Sequence, residues 1–404
     1  MTGKPPSDGA TPVVSAFYDR FPYPGDPVQD GPPPGYNWRW SIEDVHSFCR
    51  GERPSTTKGL RILDAGCGTG VSTDYLAHLN PGAEILAVDI SPGALVVARE
   101  RLERSGGHQQ ANVRLQERSL LDLAGEGPFE HINSVGVLHH LADPLAGLQA
   151  LAPLLAAGGI LHLFLYADAG RWEIHRIQRA LSLLGAGGDA AGLSLGRALL
   201  AELPEDNRLR LRHEQRWAID TAPDPNFADM YLHPQETSYD LRRLWDFLAA
   251  AGLRFLGFSN PEQWDLAKVL QGELLHKAQQ LPQRERWLLM EALDPEISHF
   301  EFFVSNQDLS PLEWSDDASL LLAKPRRSRC LWGWPGKRLL DRNMVPLDLS
   351  DDQLALLQAM EGNAGECLSL SELPLDWSPD RRCGVVRQLL ACGALSLANE
   401  SGIT

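Results

Sequence analysis

Short apolar runs alternate with helix-period segments through the centre of the chain. Arg61 to Asp64 reads as a buried strand and Val71 to Leu79 as a helix. The unit repeats with a strand over Glu84 to Ile90 and a helix over Pro92 to Arg104, whose proline sits in the first turn, where a missing N–H is harmless. Strands follow at Val113 to Gln116 and His131 to Val137. A helix over Pro144 to Leu155, capped by Asp143, leads to a fifth strand over Ile160 to Tyr166. Near-continuous apolar strands alternating regularly with helices predict a parallel sheet covered on both faces, an α/β doubly wound fold.

After Tyr166 the rhythm breaks. Helices are predicted over Trp172 to Leu184 and Leu193 to Leu203, joined by an Ala/Gly linker from Gly185 to Gly192. An amphipathic helix over Tyr239 to Ala251 restores the pattern, and a strand follows over Leu253 to Phe258. A helical stretch from Glu262 to Leu293 precedes a last strand at Phe300 to Val304. The sum is a seven-stranded sheet with helical insertions at residues 170–236 and 261–298. Both insertions leave the sheet at carboxyl ends of strands, the edge where open α/β sheets bind ligands, and are placed to roof a site there.

Around this domain, taken as 59–310, lie three further segments. Residues 1–58 comprise a disordered start of about a dozen residues and an aromatic arm with Phe17, Tyr18, Phe21, Tyr23, Tyr36, Trp38 and Trp40, ending in a short helix through Val45 and Phe48. The arm is placed to close over a bound group. Residues 311–344 read as a connector, and 345–404 as a small winged-helix-like domain with helices at Asp351 to Met360 and Pro379 to Cys392 and a strand at Ala394 to Leu397.

Charge and cysteine usage narrow the partners. A formal charge of −16 disfavours nucleic acid and anionic membrane, because such binding draws on Lys and Arg displacing counterions. The basic stretch Lys324 to Arg338 reads as a solvated connector, and the tail after Val345 has nine acids against three arginines. Cys49, Cys67, Cys330, Cys367, Cys383 and Cys392 form no C-x-x-C pair and read as reduced thiols of a cytoplasmic protein. The longest apolar run, Leu148 to Ala167, is interrupted by Pro153 and Gly158-Gly159, so it is not a membrane span. No clustered metal ligands are evident.

The sharpest chemical signal joins the first strand to the first helix: Asp64-Ala65-Gly66-Cys67-Gly68-Thr69-Gly70. Glycines at this spacing let the backbone approach a ligand, and the following helix start offers free N–H groups for a pyrophosphate or a carboxylate. Val71 breaks the G-x-G-x-x-G/A dinucleotide pattern, and there is no G-K-[ST] for a P-loop. Asp89, closing the second strand 23 residues after Gly66, is placed to accept both hydroxyls of a ribose, with Ile90 against a base.

The GxGxG form preceded by Asp64 resembles motif I of class I S-adenosylmethionine-dependent methyltransferases. The run Gly136-Val137-Leu138-His139-His140-Leu141 with Asp143-Pro144 resembles the same superfamily. The resemblance implies a seven-stranded Rossmann-like fold and S-adenosyl-L-methionine as cofactor. It implies binding by Asp64, Ala65, Gly66, Cys67, Gly68, Gly70, Asp89, Ile90, Ser119, Leu120 and Val135. Ser119 stands where the family often has Asp, which leaves the backbone of Leu120 for the adenine amino group. Arg39 is a further candidate for the cofactor carboxylate. A wider resemblance takes in Tyr18-Asp19, Pro22-Tyr23, Gly170-Arg171-Trp172 and Tyr231-Leu232-His233-Pro234. It points to bacterial protein lysine methyltransferases that modify outer-membrane proteins and carry a helical middle domain and a winged helix.

The expected chemistry is in-line displacement, with the acceptor lone pair attacking the methyl carbon opposite sulfur and the protein acting by positioning and water exclusion. An amine acceptor needs only to be neutral at attack, whereas an amide or hydroxyl needs a base. His139, His140 and Tyr18 are the candidates for that role, with Tyr166 beside them. A protein side-chain nitrogen is the expected acceptor. A small metabolite under a lid, and a cofactor-binding scaffold without catalysis, are the alternatives.

Overall fold

The computed structural model describes residues 10–33, 37–361 and 368–399, so Tyr36, Cys367 and the first nine residues lie outside the described residues. The central sheet contains β1 (Arg61–Ala65), β2 (Glu84–Asp89), β3 (Asn112–Glu117), β4 (Phe129–Val135), β5 (Leu155–Tyr166), β6 (Arg254–Phe258) and β7 (His299–Ser305), in the order β3-β2-β1-β4-β5-β7-β6. Strand order reverses between β1 and β4, which opens a crevice at their carboxyl ends. The expected wholly parallel sheet gives way at β7, which is antiparallel to both β5 and β6. Its direction follows from its connection. The chain leaves β6 at the carboxyl edge, wanders over residues 259–298 and re-enters from that same edge, so the strand has to run back.

The helices that frame the crevice are α1 (Ala10–Arg20), α2 (Ile42–Arg50), α3 (Val71–Leu79) and α4 (Pro92–Ser105). Ser91 caps α4 through the N–H of Ala94, with Pro92 in the first turn. The helix expected to reach Leu155 stops at Leu151, because Pro153 disfavours helical backbone at the residue before it and cannot donate to the turn. Strand β5 accordingly starts at Leu155, five residues earlier than its apolar run suggested.

A polar row crosses the middle of this sheet. Asp64 faces Asn133 in register across β1 and β4, and Asn133 faces His162 across β4 and β5. Asn133 donates Nδ2–H to Asp64 at 2.7 Å, and its oxygen accepts from His162 Nδ1 at 2.9 Å and from Trp40 Nε1 at 3.0 Å. Glu301 on β7 ends the row, 3.2 Å from His162 Nε2 and 2.6 Å from Arg39. Arg39 is thereby committed to Glu301, and it does not line the crevice. That corrects its reading as a ligand of the cofactor carboxylate.

The two insertions do different things. Residues 171–232 form helices Trp172–Leu183, Ala190–Glu202, Arg208–Arg212 and Asp224–Leu232, with a π turn at His213–Trp217. Phe17 and Phe21 of the arm share their core with Ile174, Ile177, Phe227 and Tyr231. Residues 261–298 instead pack Trp264, Leu266, Ala278 and Met290 into the core of the sheet. Of the two insertions expected to roof the site, the first lines the cavity through Arg171, Trp217, Asn226 and Asp229, whereas the second reaches it at Ser298.

Residues 311–344 are not a connector. They supply helix Asp317–Leu322, β8 (Lys324–Arg327) and β9 (Arg338–Leu340), which pairs with β10 (Pro346–Asp348). Strand β8 pairs with β11 (Leu395–Ala398), and Leu320, Leu331 and Leu339 share one core with Leu356, Leu389 and Leu397. The basic residues that made this stretch look solvated are matched within the chain, Arg326 to Glu43, Arg327 to Glu361 and Lys337 to Asp351. Among the described residues no helix is long and apolar enough to cross a membrane.

Three fully buried imidazoles bear on stability. Burial pushes His46 down to about 3 and holds His131 and His139 well below the ordinary histidine range. These rings stay neutral when folded, while the unfolded chain takes up protons below about pH 6.5, so stability is lost as pH falls through that value. Each ring that remains neutral at pH 5 forfeits about 2 kcal/mol there. The thermal midpoint should fall steeply between pH 7 and pH 5, above the carboxylate range. Scanning calorimetry across that interval checks this, and a flat profile down to pH 5 contradicts it.

Candidate active site

One cavity of about 540 Å³ opens at the carboxyl ends of β1, β2, β4 and β5, of a size suited to a ligand plus a second small group. Gly66, Cys67, Gly68, Asp89, Ile90, Ser119, Leu120 and Val135 line one end. Tyr18, Tyr23, His140, Tyr166, Arg171 and Asp229 line the other.

The glycine loop turns tightly because Gly66 and Cys67 both donate their N–H to the carbonyl of Val88, at 2.9 and 3.0 Å. Gly68 has φ of +51°, and a Cβ there would lie 2.4 Å from the carbonyl oxygen of Tyr23. The arm crosses the loop at this point, with Thr69 N–H donating to Tyr23 and Thr69 Oγ1 to Pro24. Asp64, Ala65 and Gly70 do not reach the cavity. The Asp64 carboxylate accepts from Ser72 at 2.7 Å and Thr73 at 2.6 Å, Ala65 is fully buried, and Gly70 caps α3 against Ala98. These three shape the loop from behind, which corrects their reading as direct ligands.

Asp89 presents a half-buried carboxylate. One oxygen accepts Gly68 N–H at 2.8 Å and the other Ser91 N–H at 2.9 Å, so each keeps a lone pair for another donor. Burial raises its carboxyl above the usual range, against the pull of those N–H groups. Across the cavity Gly136, at φ of +75°, has nothing within 4 Å of where a Cβ would stand. The free carboxylate lone pairs and this bare wall fit a group with a vicinal diol and a flat base. Within the N-terminal arm and the first insertion, the second end of the cavity takes shape around Asp229. This carboxylate on helix Asp224–Leu232 accepts from Tyr18 Oη at 2.9 Å and Tyr166 Oη at 3.4 Å, and burial raises its carboxyl.

The match to a family of known proteins follows the same residues. Residues 63–161 match the model described as a methyltransferase domain. An uncharacterized protein of Synechococcus sp. is 48% identical over 389 residues, 95% of this chain and 92% of that protein. The uncharacterized phycocyanin operon protein W of Pseudanabaena tenuis is 54% identical over 93 residues, 23% of this chain and 87% of that protein. The structure of PKMT2 from Rickettsia typhi in complex with AdoHcy superposes with a TM-score of 0.59 at 17% identity, covering 91% of this chain and 77% of that one. This chain belongs to the class I S-adenosylmethionine-dependent methyltransferases.

In this methyltransferase the three candidate bases separate. His139 is fully buried, its ring 3.8 Å from that of Tyr166, and it does not line the cavity. It packs behind the wall, which corrects its candidacy. Tyr18 lines the cavity, but burial and the Asp229 charge hold its phenol well above the ordinary range, so it serves as a donor to Asp229. His140 lines the cavity, with Nδ1 2.9 Å from the carbonyl of Gln235.

Sequence reasoning missed Asp229. Its signal is an acid on the buried side of a helix, between Phe227, Ala228 and Tyr231, where an unpaired charge would be costly. It also left Arg171 without a role. Its guanidinium lies 3.5 Å over the Tyr166 ring and is paired with Glu236 at 2.8 Å. Burial alone would raise Glu236, yet His175 and Arg171 bring it down to about 2.

Gly68→Ala should be damaging in two ways, since left-handed backbone costs a non-glycine residue about 1–2 kcal/mol and the new Cβ meets a backbone oxygen that cannot rotate away. Urea unfolding should show at least that loss, and an unchanged midpoint would contradict the loop–arm contact.

Proposed function

We propose that the enzyme methylates a side-chain nitrogen of a polypeptide. The bound cofactor supplies an electrophilic methyl group on a sulfonium. Asp89 accepts from the ribose hydroxyls, Ile90, Ser119 and Leu120 hold the adenine, Val135 flanks it, and the backbone of Gly66 to Gly68 faces the methionine end. That leaves the cavity's second end for the acceptor.

The observation that carries the reading is the buried Asp229 carboxylate set among Tyr18, Tyr166 and His140. A nitrogen that attacks a methyl group gains positive charge, which a carboxylate and tyrosine faces favour. An attacking oxyanion would bring a second negative charge beside Asp229, which low-dielectric surroundings penalise. Arg171 does not change this balance, because Glu236 already neutralises it. A polypeptide acceptor is supported by the resemblance of Tyr18-Asp19, Gly170-Arg171-Trp172 and Tyr231-Leu232-His233-Pro234 to protein lysine methyltransferases. The similarity to a protein of the phycocyanin operon makes phycocyanin subunits the first polypeptides to test.

Loss of Asp89 removes acceptors for two hydroxyl donors, each charge-assisted bond contributing about 1.5–3 kcal/mol. Asp89→Ala should therefore weaken S-adenosylhomocysteine binding in calorimetry by roughly tenfold or more with the fold intact. Affinity within twofold of the unaltered protein would refute the ribose contact.

For the acceptor, the enzyme is incubated with methyl-labelled cofactor and either purified phycocyanin or a fractionated lysate. Label on polypeptide that survives mild base, where methyl esters are lost, is the expected result, with mass spectrometry placing it on a nitrogen. Label found only in small molecules rejects the polypeptide reading.

A further inference from the structure

His140 and His233 stack at the acceptor end with ring centroids 3.8 Å apart, and a single residue, Gln235, binds both. The carbonyl of Gln235 lies 2.9 Å from His140 Nδ1. A carbonyl only accepts, so His140 Nδ1 carries a hydrogen, and Nε2 of the neutral ring is a bare lone pair. The N–H of Gln235 donates to His233 Nδ1 at 3.1 Å, which makes that nitrogen the acceptor. Burial, and then His140, push His233 down to about 2, so it is neutral and its one proton sits on Nε2. The two rings are held in opposite tautomers by one stretch of backbone.

These assignments decide what the cluster can do. His140, His233 and Asp229 each bring an atom within 4.8 Å of the others, an arrangement that suggests a metal ion. Metal ligation needs an imidazole lone pair, and His233 Nε2 has a proton there instead. A two-histidine cation site would have to break the Gln235 N–H bond. What remains is one imidazole lone pair, His140 Nε2, on a ring that lines the cavity beside one carboxylate.

We propose that His140 Nε2 is the proton acceptor of the methyl transfer, with Gln235 and His233 as positioning residues. This rests on the nitrogen-acceptor reading above. As the nitrogen–carbon bond forms and sulfur keeps the pair of the broken bond, the acceptor nitrogen sheds one proton. His140 Nε2 takes it, and the resulting imidazolium keeps its Nδ1–H on the Gln235 carbonyl and its charge beside Asp229. The proton leaves to water when the product departs. His233 stacks on the ring with its lone pair already taken by the Gln235 N–H, so it does not compete as a base. The other ionisable groups facing His140 are Tyr18 and Tyr166, its neighbour His139, and the Arg171–Glu236 pair.

The tautomers are measurable without knowing the acceptor. Long-range proton–nitrogen correlation on full-length enzyme with 15N-histidine, saturated with S-adenosylhomocysteine, should show one ring protonated at Nδ1 and another at Nε2. His140→Gln should remove the first signal and His233→Gln the second. Both rings in the same tautomer, or His140 protonated at Nε2 when neutral, overturns the proposal while leaving the methyltransferase reading intact. With the acceptor polypeptide in hand, His140→Gln should lower kcat at least 100-fold, with cofactor affinity within threefold. A kcat within tenfold of the unaltered enzyme also overturns it. Absence of any polypeptide product instead defeats the acceptor reading and leaves the tautomer result standing.

Discussion

The site depends on a buried carboxylate that does not line the cavity. Asp64 sits at the end of β1 where strand order reverses, and it accepts from Ser72, Thr73 and Asn133. Burial raises its carboxyl, and those three donors work against that shift. The geometry they impose ties β1, the first turn of α3 and β4 to one point. The glycine loop between them has no freedom to drift, because both of its ends are fixed by the same side chain. Beyond Asn133 the chain of bonds runs on through His162 and Glu301 to Arg39, and Trp40 donates to Asn133 itself, so the arm is anchored to the same row. Buried polar networks of this kind are costly when any member lacks its partner, which makes them effective at selecting a single arrangement.

The arm then joins the two ends of the cavity. Ser15 donates to the carbonyl of Ile90, and Asp19 accepts from Ser91 Oγ at 2.6 Å and Gly93 N–H at 3.0 Å, both beside the carboxylate of Asp89. Tyr18, between them in sequence, points the other way to Asp229. Farther on, Gly25 donates to Asn226 while Arg101 holds the carbonyls of Asp26 and Pro27. One short segment therefore grips the turn after Asp89, the glycine loop and the helix that carries Asp229 together. The spacing of the two ends of the cavity is set by this segment as much as by the sheet.

How far the sequence reaches is visible in particular residues. Strands β1 to β5 and the loop at Gly66 to Gly68 were legible because their signals are local, an apolar run or a fixed glycine spacing. Of the eight residues expected near the cofactor that do line the cavity, Gly66, Cys67, Gly68, Asp89 and Ile90 came from that local pattern, and Ser119, Leu120 and Val135 from the family resemblance. The direction of β7 was not legible, since the pentapeptide Phe300 to Val304 has the same composition whichever way it runs. The role of residues 311–344 was hidden for a related reason. A string of Lys and Arg looks solvated until Glu43, Glu361 and Asp351 are brought to it from elsewhere in the chain. Asp229 lies in residues 204–236, where no strong period marks the helix, and its importance comes from Tyr18, 211 residues away.

The acceptor end also shows why titratable residue types alone do not identify a base. His139 and His140 are neighbours with identical intrinsic chemistry, yet one faces Tyr166 behind the wall and the other faces the cavity. His233 shares the stack with His140, and the Gln235 N–H fixes its proton on the opposite nitrogen. Tyr18 and Tyr166 are held as donors by the carboxylate they serve. The protein thus sorts several similar groups into distinct roles through backbone hydrogen bonds and burial. Charge follows the same logic, because Arg171 is paired with Glu236 while Asp229 is met by the hydroxyls of Tyr18 and Tyr166.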